Sequence, residues 1–204
     1  MDVRPILLSF QTAIIAILFT FVLGTGVAYI VFRLKNRKLK ILLNSLFTLP
    51  LVLPPTVFGF FLLTIFGVQQ PVGQFLLDFF AIQVVFSWPA TVIAAVAVSF
   101  PLMYRSALTA FEQMDSELLA VAQTLGFSES RYFRKIALPL SMNGLLAGGV
   151  LAFARGLGEF GATTMLAGNI AGKTRTLPLA IYSAVASGDW RLANQYVVIM
   201  LLLC

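Results

Sequence analysis

Arg155 and Glu159 stand four residues apart in RGLGEFGAT, at the far end of a long apolar run, and are the pair in this sequence best placed to act on one another. On a helix that spacing puts both side chains on one face. Charges at such depth pair with each other and face a bundle interior or a polar path. They are therefore candidates for stabilising a gate, and equally for a structural ion pair that fixes packing and register. Thr163, in the same stretch, joins them as a gate or pathway candidate. A second constellation is a matter of backbone chemistry: Pro50, Pro54 and Pro55 remove three N–H donors within LPLVLPP. A regular helix does not run through that unbroken. In lipid the freed carbonyls must be met by protein or by a water-filled cavity. The motif thus predicts a kinked helix facing the bundle interior, either for packing or to line a path. Bond-making chemistry has no such candidates. There is no His and a single Cys, Cys204, which excludes bis-His haem, His-rich zinc sites, Cys-ligated clusters and internal disulfides. No catalytic residue and no metal ligand is assigned.

The elements that must position these residues are membrane spans. Of the 204 residues 59% are hydrophobic and 11% charged, against about one quarter charged in soluble domains. The formal charge of +6 sits beside apolar runs, where cations act as topology signals, so nucleic acid is discounted as a partner. MDVRPILLSF lacks a net-basic leader, and the uncharged run from Pro5 to Phe32 exceeds a signal-peptide core of roughly 7–15 residues. It reads as a retained first span, 8–32, with Thr20, Gly24 and Ala28 as a small-residue face. The cluster Arg33, Lys35, Arg37, Lys38 and Lys40 that follows is cytoplasmic by the positive-inside rule. Span two is 42–66, and 67–83 reads as an external loop with an apolar helix lying at the interface. Span three is 84–104, and Arg105 announces the cytoplasm. Span four is 138–157, where Gly144, Gly148, Ala152 and Gly156 form a stripe that another backbone approaches closely. Leu177 to Ala186 is too short to span and reads as interfacial or re-entrant. The last span, 192–204, is cut short and reaches only about 20 Å into a core of about 30 Å, so the helix is expected to continue beyond Cys204. The whole is read as a single all-α domain, 1–204: a polytopic helix bundle with about five spans, the N-terminus outside and both basic loops in the cytoplasm.

One polar stretch, 113–135, carries its own design. Asp115 or Ser116 can cap a helix start, and Glu117 suits the positive end of its dipole. Leu118, Val121, Ala122 and Leu125 fall on one face, and Gly126 stops the helix. Ser128 can cap a second short helix, and Pro139 marks the entry to span four. Taken alone, VAQTLGFSESRYFRK resembles the helix-turn-helix of AraC-type regulators. A recognition helix, however, needs an exposed face for the major groove, and this one leads straight into a span.

The closer resemblance is to the cytoplasmic signature of ABC-importer permeases, carried by Ala120-Val121-Ala122, Gly126 and Ile136-Ala137-Leu138-Pro139. The frame is intact from Gly126 to Pro139. The chain departs from the pattern at Ala120, where the family has Glu, and at Val121, where it has Ala; Glu117, one turn earlier, is a partial substitute. The resemblance implies a coupling helix that docks in a groove of a nucleotide-binding subunit. GEFGAT at 158–163, GNI at 168–170, KTRTLP at 173–178 and Ile181-Tyr182 look like molybdate permeases, and more loosely like those for sulfate and thiosulfate. What this implies is a non-catalytic type I importer subunit in a prokaryotic cell membrane. It would work as a homodimer with two ABC ATPases, which carry the ATP and Mg, and with an extracytoplasmic molybdate-binding protein. Alternatives are a sulfate, thiosulfate or tungstate permease and, from another class, a secondary carrier or a membrane anchor subunit. A carrier would carry paired broken helices, and Pro50 to Pro55 has no counterpart in a second half.

Overall fold

The computed structural model describes residues 2–115 and 117–203. Met1, Ser116 and Cys204 lie outside the described residues, and with them the expectation of a Ser116 cap. Among the described residues, two helices are long and apolar enough to cross a membrane unaided: α1, Arg4–Arg33, and α5, Trp88–Glu112. At 1.5 Å per residue α1 is about 45 Å long. Two further crossings are possible if each of two bent pairs counts as one span. The first pair is α2, Arg37–Val52, with α3, Pro55–Phe66, turned by 112°. The second is the arm Glu129–Leu140 with α9, Met142–Leu157, turned by 72°.

The expected kink in the second span is a much sharper break, and it sits at Leu53-Pro54. Pro50 lies inside α2 without ending it. Leu53 and Pro54 each precede a proline, which pushes the backbone out of the helical region, and both are extended at ψ 139° and 134°. Within the single chain the break is uncovered: α2 buries no residue, Pro50 is half-buried, and Pro54 and Pro55 are exposed. α4, Pro71–Phe80, follows with Phe75, Phe79 and Phe80 exposed.

The core is α1 against α5 against α9. Thr12 meets Thr91 at 3.0 Å and Thr20 meets Ser99 at 3.1 Å, each hydroxyl pair separated by 79 positions, so α1 and α5 run parallel. The chain therefore returns once between them. α9 runs antiparallel to α5 with its small residues inward. A Cβ on Gly148 would lie 2.4 Å from the Ser106 Cβ, and one on Gly144 2.7 Å from the Ala110 Cβ. Small residues on both helices are what let the two backbones come this close. α10, Gly161–Ala167, α11, Leu177–Ala186, and α12, Trp190–Leu203, gather at the Arg4 end of α1. There the Leu177 N–H donates to Ser9 Oγ at 2.6 Å and the Tyr196 hydroxyl donates to the Asp2 carbonyl at 2.9 Å.

Candidate functional site

The polar stretch lies at the Arg33 end of the bundle. α6, Glu117–Thr124, begins under Asp115, whose Oδ1 accepts the Glu117 N–H at 2.9 Å. It ends in a paired glycine cap: Gly126 adopts φ +74°, its N–H donates to the Gln123 carbonyl at 3.0 Å, and the Phe127 N–H donates to Ala122 at 2.9 Å. Among α6 residues only Ala122 is buried; Val121 is 53% exposed and Leu125 70%. Glu117 and Ala120 are exposed as well. The helix thus leans on the bundle through Ala122 and the half-buried Leu119 and leaves an apolar edge uncovered. The second half begins at α7, Glu129–Tyr132, with Ser128 Oγ accepting the Arg131 N–H at 3.3 Å. It continues through a wider π turn, Phe133–Ala137, into α8, Leu138–Leu140. Here Ile136 and Leu138 are half-buried and Pro139 is exposed.

Pro139 was expected to mark the entry into span four, but the bend falls at Ser141. Pro139 occupies the first turn of α8, where its missing N–H is tolerated. The adjoining π turn takes up the mismatch, the Leu138 N–H donating to the Phe133 carbonyl. Leu138, Pro139 and Leu140 therefore belong to the arm rather than to α9. Burial raises the Tyr132 phenol above its ordinary pKa while Arg33 acts the other way, and the ring stays a neutral packing group.

Arg155 and Glu159 lie at the opposite end of α9, which is about 24 Å long. Their pairing is direct: Arg155 Nη1 to Glu159 Oε2 is 2.7 Å, with the Glu159 side chain 1% exposed and that of Arg155 31%. The other carboxylate oxygen, Oε1, accepts the Ala162 N–H at 2.7 Å. Phe160, at the cap position of α10, offers no side-chain acceptor, so Glu159 caps α10 from one residue outside it. Thr163 follows on α10 and is buried. α3 packs on the same short helix through two glycines. A Cβ on Gly161 would lie 2.9 Å from the Pro55 Cβ, and one on Gly59 would lie 2.7 Å from the Ala162 Cα. The structure therefore brings together Pro55, Glu159 with Arg155, and Thr163. It places Pro50 apart from them, on α2, and Pro54 at the exposed break.

Two contacts were not foreseen from sequence. Arg33 Nη2 pairs with Glu129 Oε1, and Lys40 with Glu112 at 2.6 Å, which ties both basic loops to one end of the molecule. The first pair spans 96 positions, and no local pattern announces it. The Glu159 cap did carry a signal, an acid just before the helix start at Gly161.

Comparison with known proteins agrees with this architecture. The family described as "Binding-protein-dependent transport system inner membrane component" matches residues 20–204. The putative molybdenum transport system permease protein YvgM of Bacillus subtilis is 46% identical over 194 residues, 95% of this chain and 85% of that protein. The molybdenum transport system permease protein ModB of Haemophilus influenzae is 44% identical, covering 91% and 80%. ModB of Escherichia coli K12 is 44% identical, covering 89% and 79%. Among solved structures, an inward-facing MetNI methionine ABC transporter superposes with a TM-score of 0.75 over 98% of this chain and 88% of that one, at 16% identity. At that identity the likeness shows a shared fold.

Proposed function

This chain belongs to the binding-protein-dependent transport system inner membrane components, and from that premise we propose that it is the permease subunit of an ATP-driven importer that translocates molybdate. The observation that carries the reading is the arm at the Arg33 end. Its leading helix α6 buries only Ala122 and holds Val121 and Leu125 out, which is the form of a helix waiting for a groove. Its trailing half turns through the bend at Ser141 into α9, whose last turn carries Arg155 and beyond whose end Glu159 lies.

In this reading Glu117, Ala120, Val121, Ala122 and Gly126 meet an ABC ATPase, which holds and hydrolyses ATP, while Ile136, Leu138 and Pro139 form the joint. Two copies of the chain work with two ATPase subunits and an extracytoplasmic molybdate-binding protein. The N-terminus faces outward in a prokaryotic cell membrane. Supporting that orientation, the two basic loops meet at one end through Arg33–Glu129 and Lys40–Glu112, as the positive-inside rule requires. Arg155, Glu159 and Thr163, with Pro55 against them and Pro50 and Pro54 at the α2–α3 break, stabilise the outer gate and its path. Closure of the ATPases moves the arm, and the spans rock between openings. The substrate assignment leans on the molybdenum permeases named above and is separable from the mechanism. Purification of the complex is the test: an ATPase co-purifies, and molybdate-loaded binding protein stimulates its hydrolysis. Failure of any ATPase to associate would overturn the coupling role, whereas stimulation by sulfate-loaded protein alone would overturn only the substrate.

A further inference from the structure

We infer that the arm has two outputs: Arg33 and Tyr29 fasten its second half to the end of α1, so that a displacement of the arm is passed to α1 as well as to α9. This rests on the reading of the arm as the ATPase contact. The joint with α1 is made by several groups at once. Arg33, the last residue of α1, holds the Glu129 carboxylate. One turn back, the Tyr29 ring lies 4.6 Å from Phe133 of the π turn and 5.6 Å from Phe111 of α5. Tyr132 and Ala137 are buried in the same apolar cluster as Ala28 and Val31 of α1. The second half of the arm is thus built into α1, whereas α6 buries only Ala122 and packs Leu119 partly against the same cluster.

The joint is also built to take up a second setting. Arg33 grips Glu129 through Nη2, while its Nε and the Tyr29 hydroxyl are buried without a hydrogen-bond partner among the described residues. Guanidinium presents its donors as a fork that matches both oxygens of a carboxylate. A slide of Glu129 along α1 would bring its carboxylate toward these unspent donors, so the joint has bonds to gain on moving. From there α1 is one unbroken helix to Arg4. It carries the Thr12 and Thr20 contacts to α5 and ends at the Ser9 bond to Leu177, where α11 starts. Motion at the arm thus has a rigid route to the loops at the far end that does not pass through α9.

The test uses the whole complex in vesicles with its binding protein and molybdate, comparing wild type, Arg33→Glu, Glu129→Arg and the double exchange. The readout is substrate moved per ATP hydrolysed, alongside the thermal midpoint of the complex. The Glu129 side chain is 66% exposed, and an ion pair with one partner in solvent contributes little to stability, so the midpoint of the Glu129 variants should stay near wild type. The ratio should fall on the order of threefold in each single reversal and return in the double exchange, the signature of two groups that act on one another. Ratios unchanged in both single variants, or a fall that the exchange does not restore, overturn the inference. If a reversed variant does not assemble, Glu129→Gln decides in its place: a reduced ratio is expected, and an unchanged one overturns the proposal. A wild-type complex that lacks an ATPase would instead defeat the underlying reading.

Discussion

Replacing Glu159 separates two roles that one carboxylate plays. Oε2 takes Arg155 and Oε1 takes the Ala162 N–H, each at 2.7 Å, in a side chain that is 1% exposed. Truncation to Ala removes both. Losing a helix cap costs about 1 kcal/mol. Breaking a fully buried ion pair costs about 3–5 kcal/mol. Arg155 retains 31% exposure and can turn toward water, so the smaller penalty of roughly 1.5–3 kcal/mol for a lost charged hydrogen bond applies. The sum is about 3 kcal/mol, which in a chain of this size lowers a thermal midpoint by roughly 6–12 °C. Glu159→Gln keeps its one oxygen for Ala162 but sets an NH2 donor against Arg155, which can only donate, so the bond to Arg155 is lost at about 2 kcal/mol, or roughly 4–8 °C. The assay is thermal unfolding of the purified complex in detergent, paired with molybdate uptake into vesicles. A midpoint for Glu159→Ala within about 2 °C of wild type would refute this accounting. A midpoint for Glu159→Gln as low as that for Ala would show that the α10 cap is not what the carboxyl supplies. The Gln variant keeps the α10 cap and loses only the pair with Arg155, so its uptake reads that pair: uptake and coupling equal to wild type would remove Arg155–Glu159 from the gate.

Three further outcomes are expected. Val121→Asp combined with Leu125→Asp, at positions 53% and 70% exposed, should leave the permease folded and abolish ATPase co-purification; full retention of the ATPase would remove α6 as the docking face. Gly126→Ala meets no neighbour within 4 Å but must hold φ +74°, so it should loosen the turn by about 1 kcal/mol through conformation alone and raise protease cleavage near residues 124–128. Gly148→Val drives a side chain into Ser106, 2.4 Å from where its Cβ would sit, and should destabilise the α5–α9 contact by about 1–3 kcal/mol, read as a lowered midpoint; wild-type stability would mean that the two helices do not depend on that approach.

What sequence disclosed and what it withheld divide along a physical line. Short-range backbone chemistry was legible. Gly126 had to end a helix because the chain needed a left-handed residue there, and Arg155 with Glu159 had to share a face because they are four apart on a helix. The glycine stripe of α9 likewise named its own use, although not its partner. Directions were not legible. Leu53-Pro54-Pro55 announces that a helix must stop, but proline sterics fix only the local dihedrals, and the 112° turn follows from α3 docking through Gly59 onto α10. Pro139 misled for a related reason: a proline in the first turn of a helix breaks nothing, so the bend moved on to Ser141. Arg33 and Glu129 lie by the two basic loops that the positive-inside rule already puts on one side, but no local pattern announces that these two side chains meet across 96 positions.

The distance between the arm and the buried carboxylate sets how the two could communicate. α9 runs from Met142 to Leu157, and its glycine contacts with α5 at Gly144 and Gly148 lie in the half nearer the arm. A helix touching its neighbour through glycines has little side-chain interlock to resist tilting, because it is the backbone that makes the contact. Tilting a rod of about 24 Å by about 10° near its centre moves each end by roughly 2 Å, in opposite senses. That is comparable to the shifts by which packed helices switch between settings. It is also enough to lengthen the 2.7 Å bond by which Glu159, at the moving end of α9, holds the Ala162 N–H of α10 past hydrogen-bonding range. Glu159 is therefore where a tilt of α9 would be felt first. Because its second oxygen caps α10, against which α3 packs through Pro55 and Gly59, losing the Ala162 bond would loosen the α3–α10 contact, while the Arg155–Glu159 pair, four residues apart, travels with the end of α9.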